Sequence, residues 1–229
     1  MNSFSHNNNY ITIGIVIFFV NLILYSTCSF LEYPVTHNLF WYLRIPLLLV
    51  IYLLSGEKNV VYIVSLILYQ IASLFFAFGS TNLFILGSVA SLSYKLCLLY
   101  LLFPLVVKKD YLKIAILCLP LFIIYLLIVD LVATDLGSTK FLWITNSLVT
   151  SIMGGIAIVH YNRNYDLKGY WLIISSILFI IQIGAFFINK FYLKNGSIYQ
   201  MVIFSSGISH FAFYKFIVLR ENELKKMSL

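Results

Sequence analysis

The sequence predicts an all-α integral membrane protein, folded as one compact bundle of eight transmembrane helices. Hydrophobic residues make up 62% of the chain and charged residues only 10%, whereas a soluble domain is about half apolar and about a quarter charged. The apolar runs are about twenty residues long, which is the length that an α-helix needs to cross a bilayer. They lack the alternation of polar and apolar residues that marks the strands of a transmembrane barrel.

Eight apolar runs account for most of the chain, and short linkers join them into a single domain. No lysine or arginine precedes the first run, which is longer than the core of a signal peptide, so we expect a retained first helix. The second run carries Arg44 and Pro46, and the fifth contains Pro120 and has Asp130 near its end. The predicted spans are residues 10–30, 39–54, 60–78, 83–107, 112–133, 141–160, 170–188 and 198–219.

Polar residues inside the spans recur at intervals of three, four or seven, which places each set on one face of its helix. We expect these faces to turn inward around a polar cavity near the middle of the membrane. The abundant tyrosine and phenylalanine are interpreted as lipid-facing bulk and interface belts. The polar sets are Ser65, Tyr69, Gln70 and Ser73; Ser88, Ser91 and Lys95; Ser147, Ser151 and Gly155; Ser175 and Gln182; and Ser206 and His210.

Lys95 is the most unusual member of these sets because it stands in the middle of the fourth span. A lysine at the centre of a transmembrane helix costs roughly 2.5–3.5 kcal/mol on insertion scales. Its surroundings must therefore compensate the charge. Lys95 is a candidate to bind a lipid phosphate or to act as a base in a desolvated cavity. The alternative is a lysine near water in the cavity, or one that is paired for structure alone.

The remaining polar candidates each have a functional and a structural interpretation. His210 is either a proton-transfer group or a neutral histidine hydrogen-bonded within the bundle. Gln70 and Gln182 are either ligand contacts or hydrogen-bonding groups between helices. Arg44 and Asp130 both fall near the non-cytoplasmic end of the predicted bundle. They either form an ion pair, bind a lipid head group or extend to the interface.

Basic residues are distributed unevenly between the two sides of the predicted bundle. Arg44 and Lys95 lie inside spans, and ten of the other lysines and arginines fall on one side and three on the other. Because basic loops stay in the cytoplasm, this asymmetry predicts cytoplasmic termini. The ten are Lys58, Lys108, Lys109, Lys113, Arg163, Lys168, Lys215, Arg220, Lys225 and Lys226, and the three are Lys140, Lys190 and Lys194.

Other classes of function have no motif in the sequence. The net charge of +7 is explained by membrane topology, so we expect no nucleic-acid partner. Three cysteines without motif spacing predict neither a disulfide framework nor a zinc site. The chain has no Gly-rich phosphate loop and no nucleophile elbow, and we expect no metal and no cofactor.

Three short segments resemble the YhhN family of eight-helix membrane proteins, which includes the lysoplasmalogenases. The segment 44–48 is similar to a lysine-proline-leucine-leucine motif of the family's second span, with arginine and isoleucine before the proline. The segment 84–87, Phe-Ile-Leu-Gly, matches the start of its fourth span. The segment 188–191, Ile-Asn-Lys-Phe, matches the exit from its seventh. The resemblance implies eight helices and a bacterial plasma or inner membrane.

The resemblance also implies where the family's functional residues fall in this chain. A glycine-aspartate pair of the third span falls on Ala72 and Ser73, and a histidine of the fourth span falls on Lys95. An aspartate of the seventh span falls on Ile183, next to Gln182, and an alanine-glutamine pair of the eighth falls near His210. Both membrane aspartates of the family are therefore missing here.

Lysoplasmalogenases hydrolyse the vinyl ether of a lysoplasmalogen to an aldehyde and a glycerophospholipid. This chemistry would use an acid to protonate the vinyl carbon and a base to activate water. Without the two aspartates, we expect a diverged, weakly catalytic or non-catalytic member that binds a membrane lipid or lysophospholipid. The predicted contacts are Arg44, Gln70, Ser73, Lys95, Gln182 and His210. The alternatives are an active hydrolase with His210, Lys95 and Asp130 as catalytic candidates, and a small-molecule transporter.

The predicted topology can be tested with two reporter fusions. A reporter fused after Gln200 should lie outside the cytoplasm and one fused after Leu229 inside it, because the eighth span separates them. The measurement is the paired activity of an alkaline phosphatase and a fluorescent reporter at each site. Reports from the same side at both positions would contradict the predicted number of spans.

Overall fold

The computed structural model describes residues 3–31, 34–55, 58–78 and 80–227. Within these residues the chain is helical and contains no β-strand. Eight of the nine α-helices found there are long, and each overlaps one predicted span. The helices are α1 Ser3–Phe30, α2 Pro34–Leu54, α3 Val60–Ala77, α4 Thr81–Leu102, α5 Tyr111–Leu131, α6 Ala133–Leu136, α7 Lys140–Asn164, α8 Leu167–Phe187 and α9 Gly196–Met227.

The long helices have the length and composition of membrane spans. Seven of them are long and apolar enough to cross a bilayer, and α2 has 21 residues and contains the apolar run over residues 39–54. Large apolar side chains cover the outer faces of the bundle, as at Leu112, Leu127 and Phe141, which are 73%, 67% and 76% exposed. A surface so apolar suits lipid and is foreign to soluble monomers. The fold is therefore that of a helical integral membrane protein.

Polar side chains and a proline set the helix boundaries. The side chains of Asn59 and Ser80 accept hydrogen bonds from backbone N–H groups in the first turns of α3 and α4, and Asp166 does the same for α8. Pro104 lacks an N–H group and removes a hydrogen bond from the helical ladder, and α4 gives way to short 3₁₀ turns after Leu102. The apolar segment that α4 forms with the first 3₁₀ turn ends at Leu105, two residues before the predicted end of the fourth span at residue 107.

Contacts between helix termini define the two ends of the bundle. At one end the Tyr52 hydroxyl donates to the Glu221 carboxylate over 2.8 Å and joins the end of α2 to the end of α9. At the opposite end the hydroxyls of Tyr25 and Tyr199 lie 2.9 Å apart and join the end of α1 to the start of α9. We call the first the basic end, because it carries Lys108, Lys109, Lys113, Arg163, Lys168 and Arg220.

Three apolar clusters form the interior of the bundle. The largest extends through most of the bundle and includes Phe18, Tyr94 and Phe213. Two smaller clusters lie at the opposite end from the basic residues, one around Trp143 and Phe187 and the other around Leu22, Tyr25 and Ile203. The space between these two smaller clusters is not filled by side chains, and it holds the candidate site.

Candidate functional site

A cavity of about 250 Å³ lies inside the bundle, toward the end opposite the basic end. It is formed where α1, α3 and α8 end and where α2, α4, α7 and α9 begin, with residues of all seven helices in its wall. Its polar lining consists of Tyr25, Asn38, Arg44, Tyr69, Ser73, Ser91, Tyr94, Lys95, Gln182, Tyr199 and Ser206. Its apolar lining consists of Trp41, Ala72, Phe76, Ala77, Trp143, Ile183, Phe186, Val202 and Ile203.

The Tyr69 hydroxyl joins four helices at the wall of this cavity. It accepts hydrogen bonds from the Arg44 guanidinium over 3.2 Å and from the Gln182 amide over 3.0 Å. It also lies 2.6 Å from the Ser206 hydroxyl. A phenol oxygen has two acceptor sites and one proton, so with both acceptor sites used, Tyr69 donates its proton to Ser206. The hydroxyl is fully used and orders α2, α3, α8 and α9 around the cavity.

Arg44 is a buried cation of the cavity wall. Its side chain is 4% exposed, and its guanidinium carbon lies 5.8 Å and 6.0 Å from the ring centres of Tyr69 and Tyr25. The hydrogen bond to Tyr69 uses one of its nitrogens, while Nε has no hydrogen-bond partner among the described residues. Arg44 therefore faces the interior, and of its predicted alternatives, extension to the interface does not occur.

Lys95 is the second buried cation, with 1% of its surface exposed. Its Nζ lies 3.5 Å from the centre of the Phe179 ring and 5.0 Å from that of Tyr94. No described residue accepts a hydrogen bond from it. Cation–π contacts stabilise a desolvated ammonium by about 2 kcal/mol, less than the cost of burying it without hydrogen bonds. Lys95 is thus held by aromatic rings and retains three unused N–H donors.

His210 lies behind the cavity wall and is absent from its lining. The Nδ1 atom donates to the backbone carbonyl of Ser206 over 2.7 Å, one turn earlier in α9. Because this bond uses the proton of the neutral ring, Nε2 carries a lone pair, and it has no partner among the described residues. The rings of Tyr69, Tyr94 and Phe179 surround the imidazole at centre distances of 4.0, 5.8 and 5.1 Å.

The other predicted contacts divide between the cavity and the rest of the bundle. Ser73 and Gln182 line the cavity beside Ile183, the position where the family resemblance implies an aspartate. Gln70 is half-buried and is absent from the lining. Ala77, which shares its helix face, does line the cavity, but Gln70 lies two turns earlier in α3, further toward the basic end.

Asp130 lies away from the cavity and from Arg44. Its side chain is 82% exposed, and its Oδ1 lies 3.6 Å from Nζ of Lys140. Both residues are near the α5–α7 connection on the surface of the bundle. The predicted alternative of an ion pair between Asp130 and Arg44 is therefore not formed, and Asp130 cannot reach a ligand beside Lys95 or His210.

Aromatic residues contribute more to the site than the sequence analysis predicted. Tyr94, Trp143 and Phe179 are 2%, 2% and 0% exposed, although tyrosine and phenylalanine were interpreted as lipid-facing. Tyr94 could have been identified because it lies three residues after Ser91, on the same face of α4. Phe179 lies three residues before Gln182 on α8, a helical neighbour that the polar pattern did not include.

The unpartnered polar atoms of the cavity wall can all donate hydrogen bonds. Four residues of the cavity wall each have one buried nitrogen or hydroxyl with no described partner, namely Arg44 Nε, Tyr94 OH, Lys95 Nζ and Trp143 Nε1. No carboxylate occurs among the described residues that line the cavity. The described residues also contain no cluster of three histidine, cysteine or acidic side chains that would suit a metal ion. The site is positively charged and rich in donors.

Comparisons of the chain with family models, with curated proteins and with solved structures find no match. The resemblance to the YhhN family therefore depends on the three short segments and on the number of helices.

Replacing Tyr69 with phenylalanine should destabilise the bundle by about 1–3 kcal/mol. The change leaves the Arg44, Gln182 and Ser206 groups without their shared partner, and buried groups that lose a partner cost this much. Thermal unfolding of purified protein in detergent measures the effect. Tyr100→Phe is the matched control, because Tyr100 lies on α4 with 62% of its surface exposed. Equal unfolding temperatures for the two variants would contradict the role of the Tyr69 hydroxyl.

Proposed function

We propose that this protein is a diverged relative of the YhhN family that binds a lipid-like molecule with an anionic head group in the intramembrane cavity. The ligand is a membrane lipid or a lysophospholipid. The protein has little or no hydrolytic activity of its own.

The observation that carries this proposal is the set of four unpartnered donors around the cavity. Arg44, Tyr94, Lys95 and Trp143 together offer two positive charges and N–H or O–H groups from four side chains. A phosphate or carboxylate has several acceptor oxygens and a negative charge, so it would satisfy these groups at once. The flexible stem of Lys95 allows its ammonium to leave the Phe179 ring and contact such an anion.

The apolar part of the wall suits the rest of such a ligand. Trp41, Phe76, Trp143 and Phe186 line the cavity and present large, rigid apolar surfaces. Ligand sites in proteins commonly combine walls of this kind with a few placed polar groups. An acyl chain or a glycerol backbone would lie against these rings while the anion occupies the cationic region.

The same wall argues against hydrolysis of a vinyl ether. The positions that the family resemblance assigns to acidic residues hold Ser73 and Ile183, and no other described carboxylate lines the cavity. His210 has its proton committed to the Ser206 carbonyl. A second proton on it would add a third positive charge to a region that already contains Arg44 and Lys95. General acid catalysis by His210 is therefore unfavourable.

We also propose that the protein spans the membrane eight times, with both termini in the cytoplasm. The basic end then faces the cytoplasm, and the cavity lies nearer the opposite face. The apolar surface supports a membrane location, and the resemblance to the YhhN family is the ground for proposing the plasma or inner membrane of a bacterium. A ligand would reach the cavity from the non-cytoplasmic leaflet.

Replacing Lys95 with methionine should separate ligand binding from stability. Methionine has a similar length and no charge to desolvate, so the ligand-free protein should become more stable by about 2 kcal/mol. Its affinity for a lysophosphatidic acid should fall at least about 10-fold, while its affinity for a neutral monoacylglycerol should stay the same. Microscale thermophoresis gives the affinities, and thermal unfolding in detergent gives the stability.

Lys140→Met is the control for this variant, because Lys140 lies on the surface with 44% of its side chain exposed. It should change neither affinity. Tight binding of lysophosphatidic acid by Lys95→Met would contradict the proposed role of the cavity cation. Mass spectrometry of lipids that copurify with the wild type would then identify the natural ligand class.

The wild-type protein should release little or no aldehyde from a lysoplasmalogen. Each acid or base contribution is worth roughly 10²–10⁴ in rate, and the residues that would supply both are absent from the cavity wall. The assay measures aldehyde in liposomes, with heat-denatured protein as its blank. Robust turnover that is abolished by His210→Ala would overturn the non-catalytic proposal and favour the hydrolase.

A further inference from the structure

A second cavity, of about 370 Å³, lies between α5 and α7 at the basic end of the bundle. Lys109, Lys113 and Arg163 surround its outer part, while apolar side chains of both helices, such as Leu117 and Val159, line its inner part. This cavity has no residue in common with the first. A role for this second cavity is therefore independent of the function proposed for the first.

The charge of this cavity is positive even after its one described carboxylate is counted. Asp110 is 3% exposed and lies 2.6 Å from Nη1 of Arg163. The same guanidinium donates to the backbone carbonyl of Leu105 over 3.1 Å, so Arg163 is anchored and Asp110 is neutralised. Lys109 and Lys113 make no ion pair with any described residue and are both exposed. Two cations therefore remain for an external anion.

Along one helix face, the charged rim of this cavity continues into an apolar surface. Lys109 and Lys113 are four residues apart, and Ile116 follows three residues later, so the three share one face. Ile116 is 61% exposed and belongs to a helix whose outer surface between Lys113 and Asp130 is apolar. The groove therefore runs from a cationic rim, at the depth of the lipid head groups, to an apolar wall at the depth of the acyl chains.

We propose that this groove binds an anionic phospholipid. The phosphate lies between Lys109 and Lys113, with Arg163 held beside them by Asp110, and an acyl chain follows Ile116 and Leu117. Basic pockets between transmembrane helices are a recurring form of lipid head-group site. The apolar wall distinguishes a lipid from a free phosphate ion, which would gain nothing from it.

Native mass spectrometry of the full chain in detergent tests this site, with phosphatidylglycerol as the probe. The double variant Lys109→Gln, Lys113→Gln should lower its affinity roughly 10-fold or more, since each basic residue near a membrane surface strengthens binding roughly fivefold. The control Lys225→Gln, Lys226→Gln removes the same charge from the end of α9, outside both cavities. It should change the affinity less than about threefold. Phosphatidylcholine should bind the wild type at least about 10-fold more weakly.

Three results would overturn the proposal. Equal losses in the two double variants would indicate diffuse attraction to the basic end. Equal binding of phosphatidylcholine would indicate that the charge of the head group does not contribute to recognition. Displacement of the lipid by equimolar inorganic phosphate would assign the site to a free ion. Unfolding temperatures of both variants, measured without added lipid, verify that each double variant is folded.

Discussion

Two basic side chains share the interior of this bundle with no described carboxylate beside them. Arg44 and Lys95 are both more than nine-tenths buried, and burying an unpaired charge is among the most costly things that a protein can do. The bundle offsets this cost with the Tyr69 hydroxyl beneath Arg44 and with the rings of Phe179 and Tyr94 around Lys95. The polar stripes, the aromatic wall and the cavity are all consequences of how these two cations are accommodated.

The fold could be predicted from composition and length because, within lipid, only helices and closed barrels satisfy the hydrogen bonds of the backbone. Helical periodicity also placed Ser73, Lys95 and Gln182 correctly on inward faces, since each lies on a stripe with other polar residues. Helical periodicity did not give the positions of Gln70 and Asp130. Gln70 lies three residues before Ser73, so its spacing predicts an inward face, yet only Ser73 lines the cavity. The nearly uniform apolar surface of α5 gives no direction for Asp130.

The partners of the cations could not be predicted, because they come from distant parts of the chain. Phe179 meets Lys95 across 84 residues of sequence, and Tyr69 meets Gln182 across 113. In helices that are apolar all round, an aromatic side chain facing lipid and one facing a buried ammonium look alike. Tertiary packing determines which of the two environments a side chain occupies, and the sequence of one helix does not indicate which it is.

The short apolar length of α2 has a consequence for the surrounding bilayer. Its apolar run, residues 39–54, has 16 residues and spans about 24 Å at 1.5 Å per residue, less than the hydrocarbon thickness of about 30 Å. We expect the bilayer to thin beside α2, as it does beside other short spans. Arg44 lies six residues into this stretch, on the cavity side. Local thinning would bring the head-group layer closer to Arg44 and shorten the path by which a charged lipid leaves its leaflet.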